Sequence, residues 1–302
     1  MSLLPAPSPT RTFGSEGKVV SSIAWGMWRF TGDNIGVAQG LVEAAFAVGI
    51  TLFDTADIYG FNGSGGFGDA EALLGKVLKI APTLRQNMVL ATKGGIIPPM
   101  PYDQSCDYLT SALDASLTRL GVDHVDLWQV HRPDVLTHPQ ELARTLEDMV
   151  TSGKVGAVGV SNFTAAQIDS LHSFLSIPLA TTQPEISALA IDPIENGLLD
   201  QAMRLGVTVL AWSPLGQGRI AHQTTKRELD VAEALDVVAT AHGVSRTAAA
   251  YSWIMAHPAG IIPIVGSQQP ARIADAADAY KVRWGRTNWY NVLIASRQEP
   301  LP

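Results

Sequence analysis

The chain has little of what extracellular, membrane and zinc-binding proteins depend on. Cys106 is the single cysteine among 302 residues, so no disulfide can form within the chain. The sequence has no C-x-x-C pair and no Cys/His spacing typical of zinc sites. No apolar run approaches the roughly 18 residues of a membrane span, and residues 1–10 lack the basic and apolar regions of a signal peptide. We therefore expect a cytoplasmic protein.

Charged side chains are also scarce. They make up 16% of the residues, and the acidic ones outnumber the basic ones to give a net charge of −7, a balance that offers no basic patch for nucleic acid. Hydrophobic residues make up 46%, which is enough for the large core of a globular protein. We expect a small-molecule partner, no nucleic-acid or membrane partner, and a monomer by default.

Strand and helix patterns alternate along most of the chain. Residues 1–10 (MSLLPAPSPT) predict a disordered leader, residues 11–302 predict one domain, and Arg11–Val20 indicates a short hairpin with Gly14 and Gly17 at its turn. Short apolar runs predict strands at Ile23–Met27, Thr51–Phe53, Met88–Thr92, Val125–Val130, Val155–Val160, Ala180–Glu185, Val207–Ala211 and Ile261–Val265. Helical periodicity predicts helices at Ile35–Val48, Asp69–Ile80, Ser105–Gly121, Pro139–Ser152, Ala165–Leu175, Pro193–Leu205, Glu228–His242 and Ala271–Tyr280.

Eight β/α units of this kind predict a (β/α)8 barrel in the α/β class. The predicted helix ends are supported by four glycines, because helices commonly end at a glycine in the left-handed conformation. These glycines are Gly49, Gly121, Gly153 and Gly206. Two segments exceed a minimal barrel, a long loop at Ser213–Arg227 and an extra C-terminal helix at Thr287–Ser296. Long loops on the catalytic face of such barrels usually carry specificity.

Four polar side chains lie at or just beyond predicted strand ends: Asp54, Tyr59, Lys93 and His131. Taken singly, each has an ordinary structural interpretation, such as a turn-forming aspartate or a solvated lysine. The carboxyl ends of barrel strands open onto one face, however, so the four would meet there. If Asp54 points into the barrel, so does Leu52, and Lys93 shares its face with Ala91. An acid, a phenol, an amine and an imidazole together can donate a proton to a carbonyl oxygen.

Two other classes of site are disfavoured. Gly63–Gly68 contains G-x-G-x-x-G, but nine residues separate it from its strand and no acidic residue follows at the distance a dinucleotide fingerprint requires. We interpret it as a flexible loop at the barrel rim. The remaining histidines are scattered without H-x-H or H-x-x-x-H spacing, so we predict no metal site.

The later strands end in residues suited to a planar cofactor. Asn and Gln supply both donors and acceptors to a carboxamide, and an indole can stack on a ring. Phosphate commonly binds after strands 7 and 8 of such barrels, where an arginine follows here. The candidate residues are Ser161, Asn162, Gln183, Trp212, Ser213, Gly266, Ser267 and Arg272.

At this point the chain resembles the aldo-keto reductase superfamily over essentially its whole length. The resemblance rests on these motifs: Gly26-Met27-Trp28, Asp54-x-Ala56-x-x-Tyr59, Thr92-Lys93, His131-Arg132-Pro133-Asp134, Gly153-Lys154-Val155-x-x-x-Gly159-Val160-Ser161-Asn162-Phe163, Gln183, Trp212-Ser213-Pro214-Leu215 and Gly266-Ser267. It implies reversible aldehyde or ketone reduction, a catalytic tetrad of Asp54, Tyr59, Lys93 and His131, and bound NADPH, with NADH possible. The implied cofactor contacts add Gly26, Met27, Trp28, Leu215, Gly216 and Asp275, and the substrate pocket would contain Trp28, Phe61 and Trp212.

The sequence departs from the family pattern in two places. Gly266 stands where many members have a lysine that meets the 2′-phosphate, which leaves Ser267 and Arg272 for that task. Asp275-Ala276 replaces a Glu-Asn pair that contacts adenine, so part of that contact is expected to be lost.

The expected chemistry gives each tetrad residue a role. Lys93 would lower the pKa of Tyr59, the proton donor, while Asp54 would hold Lys93 and His131 would orient the carbonyl. Three alternatives stay open: an NAD(P)+-dependent sugar or polyol dehydrogenase, a slow-turnover subunit that senses NADPH, and a metal-dependent barrel hydrolase.

Overall fold

The computed structural model describes residues 3–13 and 17–301. It begins with an antiparallel hairpin of β1 (Thr10–Phe13) and β2 (Lys18–Ser21), whose predicted turn residue Gly14 lies outside the described residues. Phe13 and Val20 are buried against residues inside the barrel, so the hairpin packs onto the barrel interior. The predicted hairpin is therefore confirmed.

Eight parallel strands form a closed barrel. They are β3 (Ala24–Gly26), β4 (Leu52–Asp54), β5 (Val89–Gly94), β6 (Val125–Val130), β7 (Val155–Ser161), β8 (Leu179–Gln183), β9 (Thr208–Ala211) and β10 (Ile262–Val265). Each neighbours the next strand along the chain, and β10 closes the ring against β3. This is the predicted (β/α)8 barrel.

Helices surround the barrel, and none in the described ranges is long and apolar enough to cross a membrane. They are α1 (Ile35–Ala47), α2 (Asp69–Ile80), α3 (Thr83–Gln86), α4 (Cys106–Leu120), α5 (Pro139–Thr151), α6 (Ala165–His172), α7 (Asp192–Glu195), α8 (Leu198–Leu205), α9 (Lys226–His242), α10 (Arg246–Met255), α11 (Pro270–Ala276) and α12 (Arg286–Arg297), with 3₁₀ helices at Gly216–Gly218 and Ala277–Lys281. The glycines predicted to end helices are left-handed, with φ of 80°, 66°, 75° and 69° at Gly49, Gly121, Gly153 and Gly206.

The alternation of side chains along the strands places Asp54 and Lys93 on the inward face of the barrel. Leu52, Val89 and Ala91 belong to the apolar cluster inside the barrel, together with Leu127 and Leu210. Asp54 and Lys93 share the parity of these residues and so point inward. The apolar cluster fills the barrel below them, and the polar groups lie above it.

Helix α10 was not predicted from the sequence, which placed only one helix, corresponding to α9, between the last two strands. In the structure α10 contacts β10, whereas α9 packs against α10 and the C-terminal helix α12. Residues Ala248–Met255 of α10 are all buried, so the segment has no polar face and no amphipathic period to detect. The predicted helix Pro193–Leu205 is also divided, because Gly197 has φ of 84° between α7 and α8.

Part of the segment predicted as a disordered leader, residues 3–10, contacts the C-terminal part of the chain, while Met1 and Ser2 lie outside the described residues. Leu3 forms a bridge with Gly285, and the Leu4 amide donates to the Trp284 carbonyl at 2.8 Å. Leu4 also packs against the larger of the two hydrophobic clusters, which is formed by strand and helix residues. The proline-rich composition suggested disorder, but an apolar anchor ties this segment to the C-terminal part of the chain.

Candidate active site

A buried ammonium group organises the site. Lys93 lies in β5 beside Asp54 in β4, and its side chain is fully buried. The Lys93 Nζ donates to Asp54 Oδ2 at 2.7 Å, to the Thr55 carbonyl at 2.7 Å and to the Tyr59 hydroxyl at 3.1 Å. Lys93 therefore contacts two of the other three residues predicted for catalysis.

The second oxygen of Asp54 is held by two amide groups. Asp54 Oδ1 accepts from Gln183 Nε2 at 3.0 Å and from Gln129 Nε2 at 3.3 Å. Gln183 was predicted as a site residue, but Gln129 was not. Its signal was present in the sequence, because Gln129 lies in β6 two positions after the inward-facing Leu127 and so points inward as well.

The charges of the site favour an ammonium beside a protonated phenol. Burial alone would lower the pKa of Lys93, but Asp54 and Tyr59 outweigh it, so the pKa of Lys93 is raised. Burial raises the pKa of Tyr59, and the opposing effect of Lys93 does not cancel it. Lys93 thus acts in the expected direction, but desolvation of the phenol exceeds the attraction of the ammonium, so the pKa of Tyr59 is raised overall. The phenol keeps its proton at neutral pH.

His131 follows β6 and completes the cluster. Its ring centroid lies 5.8 Å from that of Tyr59. Burial, followed by the charges of Lys93 and Arg132, holds the pKa of His131 well below its usual value, so the imidazole is neutral. Its Nδ1 is buried and has no hydrogen-bond partner among residues 3–13 and 17–301.

The opening above Tyr59 has an aromatic wall. The Trp28 indole stands at 89° to the Tyr59 ring with centroids 5.2 Å apart, and 58% of Trp28 is exposed. Phe61, another aromatic residue predicted for the pocket, packs against Phe67 of the Gly63–Gly68 loop, with ring centroids 6.5 Å apart. The exposed indole is thus the apolar surface next to the phenol.

A second cluster, at the ends of β7, β8 and β9, contains the residues predicted for a nicotinamide. Asn162 Nδ2 donates to the Ser161 hydroxyl at 2.9 Å and to the His131 carbonyl at 3.1 Å, and its Oδ1 accepts from Trp212 Nε1 at 3.0 Å. Asn162 and Ser213 have φ of 62° and 48°, values uncommon outside glycine. Such strained positions concentrate at functional sites.

The predicted phosphate end lies between β3 and α11. The Ser267 carbonyl accepts from Trp25 Nε1 at 2.9 Å, and a side chain at Gly266 would meet no atom within 4 Å. Arg272 is exposed and takes part in no ion pair within the described residues. Leu215 and Gly216 follow β9, where the Gly216 amide donates to the Ser213 carbonyl at 2.8 Å.

Two predicted cofactor residues have other partners. Asp275 Oδ2 accepts from Ser245 at 2.6 Å and from Thr247 at 2.9 Å, which anchors the start of α10. The Met27 side chain is fully buried, so only its backbone is available, and its amide already donates to the Asp54 carbonyl at 2.9 Å. Gly26 offers its carbonyl to Gln268 at 3.2 Å.

The donor set suits a nicotinamide dinucleotide. Ser161, Asn162 and Gln183 provide hydroxyl and amide groups at one place, and Trp212 provides a planar ring held by Asn162. Gln268 Oε1 is buried without a partner in the described part of the chain, beside the opening at Gly266. Polar atoms of this kind are rare unless a ligand or water completes them.

The fold and the site define a (β/α)8-barrel oxidoreductase. A sequence profile of the Aldo/keto reductase family matches residues 22–289, and the chain belongs to that family. A 6-dehydroglucose reductase of Novosphingobium aromaticivorans is 64% identical, with all of both chains covered. A second 6-dehydroglucose reductase, from Agrobacterium fabrum, is 40% identical over 90% of this chain and 93% of its own length.

Solved structures agree on the fold. The glycerol dehydrogenase AKR11B4 from Gluconobacter oxydans has a TM-score of 0.83 and 25% identity, and the comparison covers 97% of this chain and 98% of that one. A thermostable aldo-keto reductase, Tm1743, also has a TM-score of 0.83, at 23% identity over 95% of this chain and 99% of its own.

Proposed function

We propose that the protein reduces the aldehyde of 6-dehydroglucose to an alcohol with NADPH, and that Tyr59 is the proton donor. The observation that carries the proposal is the 3.1 Å contact between a buried Lys93 ammonium and the Tyr59 hydroxyl. The substrate is inferred from two relatives that bear this activity in their names and match 90% or more of the chain.

When bound, the cofactor supplies the hydride. Tyr59 gives its proton to the carbonyl oxygen as negative charge develops there, and Lys93 stabilises the phenolate that remains. Asp54 keeps Lys93 charged and aimed at the phenol. His131 is neutral and can therefore donate its Nε2 proton to the same oxygen, which fixes the carbonyl and favours the charged transition state.

The exposed face of Trp28 supports a sugar-like substrate. Sugar rings present C–H groups on one face and hydroxyls at their edge, and an indole offers a flat apolar surface for the former. Trp28 stands next to Tyr59, so a sugar lying on the indole would have its aldehyde near the phenol.

For the cofactor we propose NADPH, with NADH as the weaker alternative. Its carboxamide would bind Ser161, Asn162 and Gln183, and Trp212 would pack beside the ring. The exposed guanidinium of Arg272 would meet the 2′-phosphate with the help of Ser267. We also propose a cytoplasmic location and a monomer, on the basis of the sequence composition.

The test is NADPH oxidation with 6-dehydroglucose, compared with a panel of aldehydes, ketones and sugars. Lys93→Met should lose nearly all activity, whereas Lys154→Met, which changes a lysine 41% exposed on the surface, should lose none. Faster NADP+ reduction by sugars or polyols would favour a dehydrogenase. Tight NADPH binding without turnover of any carbonyl compound would favour a sensing subunit.

A further inference from the structure

The barrel interior contains a polar layer where apolar packing would be expected. Gln129 is completely buried in β6, and Thr181, also completely buried, lies in β8. The Thr181 hydroxyl donates to Gln129 Oε1 at 3.0 Å, and Gln129 Nε2 donates to Asp54 Oδ1 at 3.3 Å. Buried polar groups weaken a core unless each is satisfied, so a fully connected network of this kind calls for a reason.

Strand register places this layer level with the ammonium of the site. Lys93 pairs with Gln129, Gln129 with Gly159, and Gly159 with Thr181. A Cβ on Gly159 would lie 2.0 Å from Thr181 Oγ1 and 3.2 Å from Gln129 Cγ. The glycine therefore leaves the space in which the glutamine and threonine side chains meet.

The carboxylate fixes which way the Gln129 amide faces. An ionised carboxylate only accepts hydrogen bonds, so the nitrogen of Gln129 must face Asp54 and the oxygen must face the Thr181 hydroxyl. Gln183, the other amide donor to Asp54, is different because its proposed task is to bind the nicotinamide carboxamide. Gln129 lies deeper and has no other partner in the described residues.

We propose that Gln129 is a positioning residue for the reduction: its amide, oriented by Thr181, holds one oxygen of Asp54 so that the other stays directed at Lys93. The inference rests on the proposed roles of Asp54, Lys93 and Tyr59. It gives the polar layer a purpose, because the layer connects the barrel wall at Thr181 to the ammonium beside the phenol.

The consequence appears in the pH dependence. The titratable groups that face Lys93 are Asp54 and Tyr59, with Asp57 and His131 beyond them. Burial acts to lower the pKa of Lys93, and Asp54 is the largest influence that raises it. If Asp54 is held less firmly, the pKa of Lys93 should fall and Lys93 should lose its proton at lower pH. The alkaline decline in kcat would then begin at a lower pH.

The test compares Gln129→Met, which keeps the length but cannot donate, with wild type. We expect kcat to fall about tenfold and the alkaline limb of the pH profile to move down by about half to one unit, as the loss of one hydrogen bond implies. The NADPH dissociation constant should stay within about twofold, since Gln129 does not reach the proposed cofactor residues. An unchanged kcat and alkaline limb would overturn the inference.

Two further variants guard against a folding defect. Thr181→Val leaves the Gln129 nitrogen in place and should lose less activity than Gln129→Met. Gln129→Glu should recover activity at low pH, where a protonated acid can donate to Asp54, and lose it as the acid ionises. If Gln129→Met does not fold, a Gln129→Glu profile identical to wild type overturns the inference. If the wild type is active and the variants are unaffected, only the role of Gln129 is rejected. If the wild type reduces none of the carbonyl compounds, the proposed function itself is rejected.

Discussion

Removing one oxygen atom from Tyr59 tests proton donation while the aromatic ring stays in place. Tyr59→Phe keeps the ring, which is 9% exposed and packs edge-on against Trp28 with centroids 5.2 Å apart. It deletes the hydroxyl that accepts from Lys93 at 3.1 Å. The proposed proton donor is lost while the aromatic wall is retained.

The size of the effect follows from the contacts. General acid catalysis contributes roughly 10²–10⁴ in rate, so kcat should fall by that factor. Lys93 keeps two acceptors, Asp54 Oδ2 and the Thr55 carbonyl, both at 2.7 Å. The free energy of unfolding should therefore change only by about 0.5–1.5 kcal/mol, the usual contribution of one hydrogen bond.

Steady-state kinetics with 6-dehydroglucose give kcat, quenching of tryptophan fluorescence gives the NADPH dissociation constant, and urea unfolding gives the stability. We expect a large loss of kcat with nearly unchanged cofactor affinity and fold. A kcat within about threefold of wild type, in a folded protein that binds NADPH normally, would show that Tyr59 is not the acid, because that loss is far below the range for the role.

Three other predictions concern pH, cofactor choice and stability. Because burial raises the pKa of Tyr59 despite Lys93, the phenol should stay protonated at neutral pH. The kcat for reduction should therefore not change with pH near neutrality and should fall only at alkaline pH. A decline in kcat that begins below pH 7 would contradict this. Arg272→Ala should weaken NADPH roughly 10- to 150-fold and NADH far less, as the dissociation constants of both will show, and equal losses would make Arg272 a structural residue. Asp126→Asn should lower the free energy of unfolding in urea by about 1.5–3 kcal/mol, because the 5% exposed carboxylate accepts hydrogen bonds from Lys18 and the Leu90 amide. The control Asp169→Asn, on the surface, should change the free energy of unfolding much less. Burial acts to raise the pKa of Asp126 but these hydrogen bonds hold it below its usual value, so the Asp126→Asn deficit should shrink as the pH falls through that pKa.

The sequence was sufficient to predict where candidate site residues lie when each follows a strand of clear periodicity. Asp54, Lys93 and His131 were found because each ends an apolar run, and the barrel brings such ends together. Helix α10 was missed because a helix buried on every side has no period to read. The packing of Leu4 against the core could not be predicted, because the composition of a proline-rich segment does not show which apolar residue finds a partner.

Hydrogen bonds between side chains on different strands of the barrel could not be predicted from local sequence patterns. Gln129 has the right parity, but only the closed ring shows that β6 and β8 approach Asp54 together. The net direction of the Tyr59 pKa shift also depends on burial, which the sequence does not quantify. Asp275 was assigned by its position in a motif, yet Ser245 and Thr247 engage its carboxylate.

The Asn162 amide has a consequence for anyone who redesigns this enzyme. One small side chain fastens the Trp212 indole on the proposed cofactor side to the His131 backbone on the substrate side. A library that varies Trp212 to accept another cofactor would remove the hydrogen bond to Asn162 Oδ1 and so weaken the hold on the residue that contacts the His131 carbonyl. Changes of cofactor and of substrate are therefore best selected together, with Asn162 and Trp212 varied as one unit.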